Sequence, residues 1–181
     1  APSPQNPTNG YYFYFYNFVN QLSEYSYYQF YLENKETTKI KLYEAINKTI
    51  DIDLLKIYSI DPKKLRNIKK ILTMLCTTVP YKPNMSTLSN ATEIDIKTLY
   101  VYLNALSGGK VIRMVSSYAR GEEIIKKPEK IYLDNPNMFK ALCQSSDIGT
   151  IRESFFASSL QNSLYEMQVS KKGDFIVDGN Y

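Results

Sequence analysis

Apolar residues recur at helical spacing in three consecutive stretches between residues 61 and 106, and a strand-like pattern follows them. Asp61-Pro62 opens the first stretch: an aspartate caps free backbone N–H groups, and a proline suits the first helical position. Leu65, Ile68, Leu72, Leu75 and Val79 then fall in steps of three and four, which predicts one buried helical face, and Pro80 and Pro83 end the run. Asn84 caps a short second helix through Leu88, and a polar turn occupies 89–93. Asp95 caps a third, with Ile96, Leu99, Leu103 and Leu106 inward and Lys97, Thr98, Val101 and Tyr102 outward; Gly108-Gly109 stops it. Residues 111–117 and 130–133 favour strands on either side of a charged loop, 118–129. Three helices and a hairpin in this order predict a winged helix-turn-helix.

The flanks are less regular. Residues 1–10 are rich in Pro and Asn, and 11–16 are an unbroken run of Tyr and Phe. Glu24 is the one charge between Ala1 and Leu32, a stretch holding about half of the chain's aromatic residues. Such a segment is a core element or a face that meets another domain or a second copy. Residues 36–50 read as a helix with Ile40, Tyr43, Ile46 and Ile50 on one stripe, closed by Asp51-Ile52-Asp53-Leu54. Beyond the hairpin, 136–143 suggest a short helix and 148–164 a longer one with Ile151, Phe155, Leu160 and Leu164 inward. Residues 169–177 suggest a hairpin turning at Lys171-Lys172-Gly173. The expected fold class is α+β and mostly helical. The expected organisation is an aromatic-rich helical segment (1–54), a winged helix (55–135) and a C-terminal α/β piece (136–181).

Composition narrows the chemistry. With 181 residues and 44% hydrophobic content the chain can build a core. Its net charge of +4 permits a nucleic-acid partner without demanding one. There is no histidine, which excludes histidine acid–base catalysis and the common zinc sites. Cys76 and Cys143 read as buried thiols in a reducing compartment rather than a disulfide, so the expected location is cytoplasmic. No apolar run approaches the length of a membrane span. The Ala-Pro-Ser-Pro start fits a fragment or a processed product. Three Asn-x-Ser/Thr triplets, at Asn47, Asn84 and Asn90, are chance products of an Asn-rich chain.

The candidate sites are basic or acidic clusters. Lys63, Lys64, Arg66, Lys69 and Lys70 form one face of the first helix of the triad, a solvated side that could also touch phosphates. The third helix carries Lys97 and Tyr102 outward but lacks the Arg, Asn or Gln near its start that bidentate base contacts need. Arg113, Arg120, Lys126 and Lys127 make the hairpin the stronger candidate for phosphate contact, together with Lys130. Asp51 and Asp53 are too small a set for a metal site and read as solvated or capping acids.

This order of motifs, over about residues 25–181, resembles the C-terminal half of a family of prokaryotic AAA-type ATPases. In those proteins a P-loop module precedes a winged helix and a restriction-endonuclease-like region. The similar stretches are 43–54, 71–83, 86–106, Lys130-Ile131-Tyr132-Leu133-Asp134, 149–160 with Glu153, and Gly173-Asp174-Phe175-Ile176-Val177. The resemblance implies a partial nuclease-like piece at the C-terminus, with Glu153 and Asp174 matching two of its acidic positions. No Glu-x-Lys strand follows them, so a structural role is expected for both. The ATPase module is absent, and Ser107-Gly108-Gly109-Lys110 lacks the earlier Gly and the Ser or Thr of a P-loop. ATP and magnesium are therefore implied only for the missing module, and no cofactor or metal is expected in this chain. The expected partners are that upstream module, a second copy through residues 11–31, and DNA. A sequence-specific transcription regulator and a remnant metal-dependent nuclease are the alternatives.

Overall fold

The computed structural model of the chain describes residues 34–77, 82–116, 128–143, 147–162, 167–169 and 175–177. The aromatic segment 11–31, the expected charged loop with Arg120, Lys126 and Lys127, and Asp174 lie outside these residues. Helix α1 (Lys35–Lys48) is capped by Asn34, whose side chain accepts from the Thr37 N–H at 2.9 Å. It runs without a break into a π-helical turn, Thr49–Leu54, and then α2 (Leu55–Tyr58). Ser59, in the left-handed region at φ 50°, ends the rod. The expected stop at residues 51–54 is thus a continuation.

The buried stripe on this rod is Thr38, Leu42, Ile46, Ile50 and Leu54, a strict step of four. In a regular α-helix that step overshoots a full turn by about 40°, so five such positions would wind off the core. A π turn holds more than four residues, so there the same step falls short and swings Leu54 back. Ile40 and Tyr43, expected inward, are 56% and 50% exposed. The expected stripe shared only Ile46 and Ile50 with the real one.

The three-helix unit opens at the expected caps, but its second helix runs on to Thr92, through most of the turn expected at 89–93. A 3-10 turn, Pro62–Lys64, capped by Asp61, leads into α3 (Leu65–Thr77). Helix α4 (Met85–Thr92) is capped by Asn84, which accepts from the N–H groups of Ser86 and Thr87. Helix α5 (Ile96–Gly108) is capped by Asp95, which accepts from the Thr98 N–H at 3.0 Å. Between α4 and α5, Glu93 takes the left-handed conformation at φ 58°. Ile68, Ile71, Leu72 and Leu75 of α3 meet Leu88 of α4 and Leu99, Leu103 and Leu106 of α5 in one core, which Leu42, Ile46 and Ile50 complete.

Gly108-Gly109 ends α5, though not by supplying a left-handed residue: Lys110 has the positive φ, 55°. The glycines leave room for neighbouring side chains. A Cβ on Gly109 would lie 2.9 Å from Leu54 Cδ2, and one on Gly108 would collide with the Tyr58 hydroxyl. The end of α5 therefore abuts the π turn and α2.

Strands β1 (Ile112–Ser116) and β2 (Pro128–Leu133) pair antiparallel, Ile112 opposite Leu133 and Val115 opposite Lys130, with a register shift after Val115. Helix α6 (Asn137–Leu142) returns to the helical body through Met138 and Phe139. Helix α7 (Ile148–Asn162) and the β3–β4 pair, Met167–Val169 with Phe175–Val177, form a second, smaller cluster with Val115, Tyr132 and Ala157. The α7 face differs from expectation. Thr150, Ser154, Ala157 and Ser158 are buried alongside Ile151, while Phe155 and Leu160 are only half-buried. Small side chains let α7 lie close to β2, where the Ser154 hydroxyl donates to the Leu133 carbonyl at 3.0 Å. The described residues are mixed α+β and mostly helical.

Cys76 and Cys143 are joined as a disulfide, Cα atoms 5.3 Å apart, which overturns the expectation of two free thiols. The contact is made because α6 packs on α3, a tertiary fact that spacing along the chain does not carry.

Candidate functional site

A strand sends alternate side chains to opposite faces, and β2 uses both. Ile131 and Leu133 join the helical core with Ile112 of β1, whereas Lys130, Tyr132 and then Asp134 share the other face with Arg113 and Val115. That second face turns toward α7 and β4, and its polar groups are buried there in pairs.

Glu153, on the second turn of α7, is the hub. One carboxylate oxygen, Oε1, accepts from Lys130 Nζ at 2.7 Å and from the Tyr132 hydroxyl at 2.7 Å. The side chains of Lys130 and Glu153 are only 6% and 17% exposed. The Lys130 ammonium also lies 5.1 Å from the centre of the Phe175 ring, a cation–π distance, and Phe175 packs near Tyr132 and Phe156. At the other end of the face, the Arg113 guanidinium sits 2.9 Å from Asp134. Burial pushes the Asp134 carboxyl above the ordinary aspartate range, against the opposing pull of Arg113 and Lys110.

These positions correct several expectations. Arg113 is buried and paired rather than presented to a phosphate backbone. Tyr102 is 6% exposed, not outward; it stands three residues after Leu99 and four before Leu106, on the same buried face. Burial, with Asp61 and Asp95 adding to it, raises its phenol above the ordinary range. Lys97 is exposed as expected, on a surface it shares with Ile96, Val101 and Asn104. Glu153 is present and oriented, but as the partner of a lysine and a tyrosine.

The basic face of α3 divides in two. Lys69 pairs with Asp51 of the π turn at 2.9 Å, which gives that acid its role, and Lys70 pairs with Glu93 at 2.7 Å. The Lys70 hydrogen bond, chiefly, holds the Glu93 carboxyl below the ordinary glutamate range. Lys63, Lys64 and Arg66, at the start of the helix, are exposed and in no ion pair among the described residues. Among the described residues, no group of His, Cys, Asp and Glu is placed to hold a metal ion. Nor is any described helix long and apolar enough to cross a membrane.

Lys130, Tyr132 and Asp134 as partners of the α7 carboxylate and of Arg113 are the site residues that sequence reasoning missed. The signal was available: polar residues at period two, between Ile131 and Leu133, in a strand with both faces covered. With this geometry established, the comparisons add a family. "Domain of unknown function (DUF8612)" matches residues 26–148, more than half of the chain, and the chain belongs to that family. The match spans the helical body and the β1–β2 ribbon and reaches the first residue of α7, so Glu153 lies beyond it. No curated protein and no solved structure matches the chain.

Proposed function

We propose that the chain is a non-catalytic module that makes domain contacts, in the manner of the C-terminal region of AAA-type ATPases. In this reading α3 to α5 with the β1–β2 ribbon act as a winged helix, α7 with the β3–β4 pair is a nuclease-like remnant, and residues 11–31 meet the ATPase module or a second copy. The observation that carries it is the state of Glu153. A carboxylate that already accepts from an ammonium and a phenol, in a buried setting, is spent on holding α7 to the ribbon. Metal-assisted hydrolysis needs such a group turned toward an ion and a substrate instead.

Two measurements test the reading. The reading frame upstream of Ala1 should encode a P-loop module. The chain itself should not cleave DNA with added Mg²⁺ or Mn²⁺. Cleavage that is lost on Glu153→Gln would replace this reading with the nuclease one.

Any DNA binding by this module runs through phosphates. Among the described residues, exposed cations from Lys63 to Lys97 include Lys63, Lys64, Arg66 and Lys97; Arg120, Lys126 and Lys127 lie outside the described residues. Each phosphate contact adds about 0.9 to the slope of log affinity against log salt, so Lys126→Ala with Lys127→Ala should flatten it by about two units. Lys97→Ala should flatten it by about one. Binding that keeps a preference for one sequence at high salt would favour the transcription-regulator reading.

A further inference from the structure

We propose that Cys76 and Cys143 form a thiol–disulfide exchange site whose state sets how firmly α7 is held on the ribbon. The pair bridges the last turn of α3 to the residue that follows α6, and α7 begins shortly beyond it. Both cysteines are only half-buried, at the edge of the body rather than inside it, which suits exchange with a small thiol. The three-helix body has a large apolar core of its own. Helix α7 is held by a smaller set: Ile151 at the edge of that core, Ala157 in the second, smaller cluster, Phe156 beside Phe175, the Ser154 hydroxyl on the Leu133 carbonyl, and Glu153 on Lys130 and Tyr132. Opening the bridge removes the covalent anchor at its entrance.

The chemistry is ordinary exchange with a low-molecular-weight thiol of the glutathione class. Its thiolate attacks one of the two sulfurs, the S–S bond breaks, and the electron pair leaves on the other sulfur. A second thiolate then attacks the mixed disulfide and releases the remaining cysteine. Two protons end on Cys76 and Cys143, and two molecules of the small thiol are oxidised to its disulfide. The proposal does not depend on the functional reading above, since it concerns only the two sulfurs and the helix beyond them.

The test uses the full chain in buffers of reduced and oxidised glutathione, followed by alkylation, mass measurement and hydrogen exchange. The oxidised form should resist alkylation at both cysteines, and the reduced form should take up two alkyl groups. On reduction, amide protection over residues 148–162 should fall by on the order of tenfold while that over residues 96–108 holds. The Cys76→Ser, Cys143→Ser double variant should match the reduced form without any thiol present; if it does not fold, the reduced natural chain carries the comparison. Two alkyl groups taken up in oxidising buffer would overturn the proposal. So would equal protection of α7 in both states, or an equal loss over α5, which would make the bridge a general staple.

Discussion

The β1–β2 ribbon is buried on both faces, and the faces are built from opposite materials. On one, Ile112, Ile131 and Leu133 meet the helical body in an apolar core. On the other, Lys130 and Tyr132 meet Glu153, and Arg113 meets Asp134, beside a much smaller apolar cluster. An apolar face gains from any contact that excludes water and so tolerates approximate shapes. A face of buried charges gains only where every partner is in place, because a lone buried charge costs more than the pair returns. The first face is therefore suited to stabilising the body, and the second to fixing one position of α7.

The sharpest way to break this comparison is to remove one charge. Lys130→Met leaves the Glu153 carboxylate without its cation and should cost about 3–5 kcal/mol, read as a lower urea midpoint. Adding Glu153→Leu should restore most of that loss, since two apolar residues can replace a buried pair. A neutral single variant would mean that the polar face does not position α7.

Opening the disulfide comes next. The Cys76→Ser, Cys143→Ser variant should lower amide protection of α7 about tenfold, on the order of 1.4 kcal/mol, while the urea midpoint of the helical body holds. On the apolar face, Ile131→Val should cost about 1 kcal/mol. Combined with Lys130→Met, that loss should simply add, although the two residues are neighbours in sequence; a strong coupling would show that the faces are not independent.

The smallest effect belongs to a cap. Asp95 is held below the ordinary aspartate range chiefly by hydrogen bonding to the Thr98 side chain, then by the Thr98 backbone N–H. A depressed carboxylate contributes stability above its unfolded-state pKa and loses it as pH falls through the folded value. Asp95→Ala should therefore lower Tm at pH 7, and the difference from the parent chain should shrink on acidification through the carboxylate range. A pH-independent difference would assign the effect to helix propensity.

What the sequence disclosed follows from range. The caps Asp61, Asn84 and Asp95 act on backbone groups two or three residues away, and all three were legible. The strand pair was legible from its β-prone runs. Tyr102 lies inward, as its spacing from Leu99 and Leu106 requires; the assignment of a recognition helix, which turns that position outward, conflicts with the helical period. On α1 apolar character alone misleads: within its regular part Ile40 and Tyr43 face outward while Thr38 and Leu42 are buried. The disulfide and the Lys130–Glu153 pair join residues far apart in the chain, and only the packing of α6 on α3 and α7 on β2 brings them together. For Glu153 the residue was legible and its partners were not.

The π turn at Thr49–Leu54 gives the rod one residue of slack. A regular α-helix advances about 100° per residue and a π turn less, so one residue fewer, wound as α-helix, reaches nearly the same angle. A single deletion there can therefore leave Leu54 in the core and Tyr58 against Gly108. The same deletion within α1, where the winding is already regular, has no such reserve and would turn everything beyond it by about 100° about the axis. Homologous chains should lose a residue more readily between Lys48 and Leu55 than within α1.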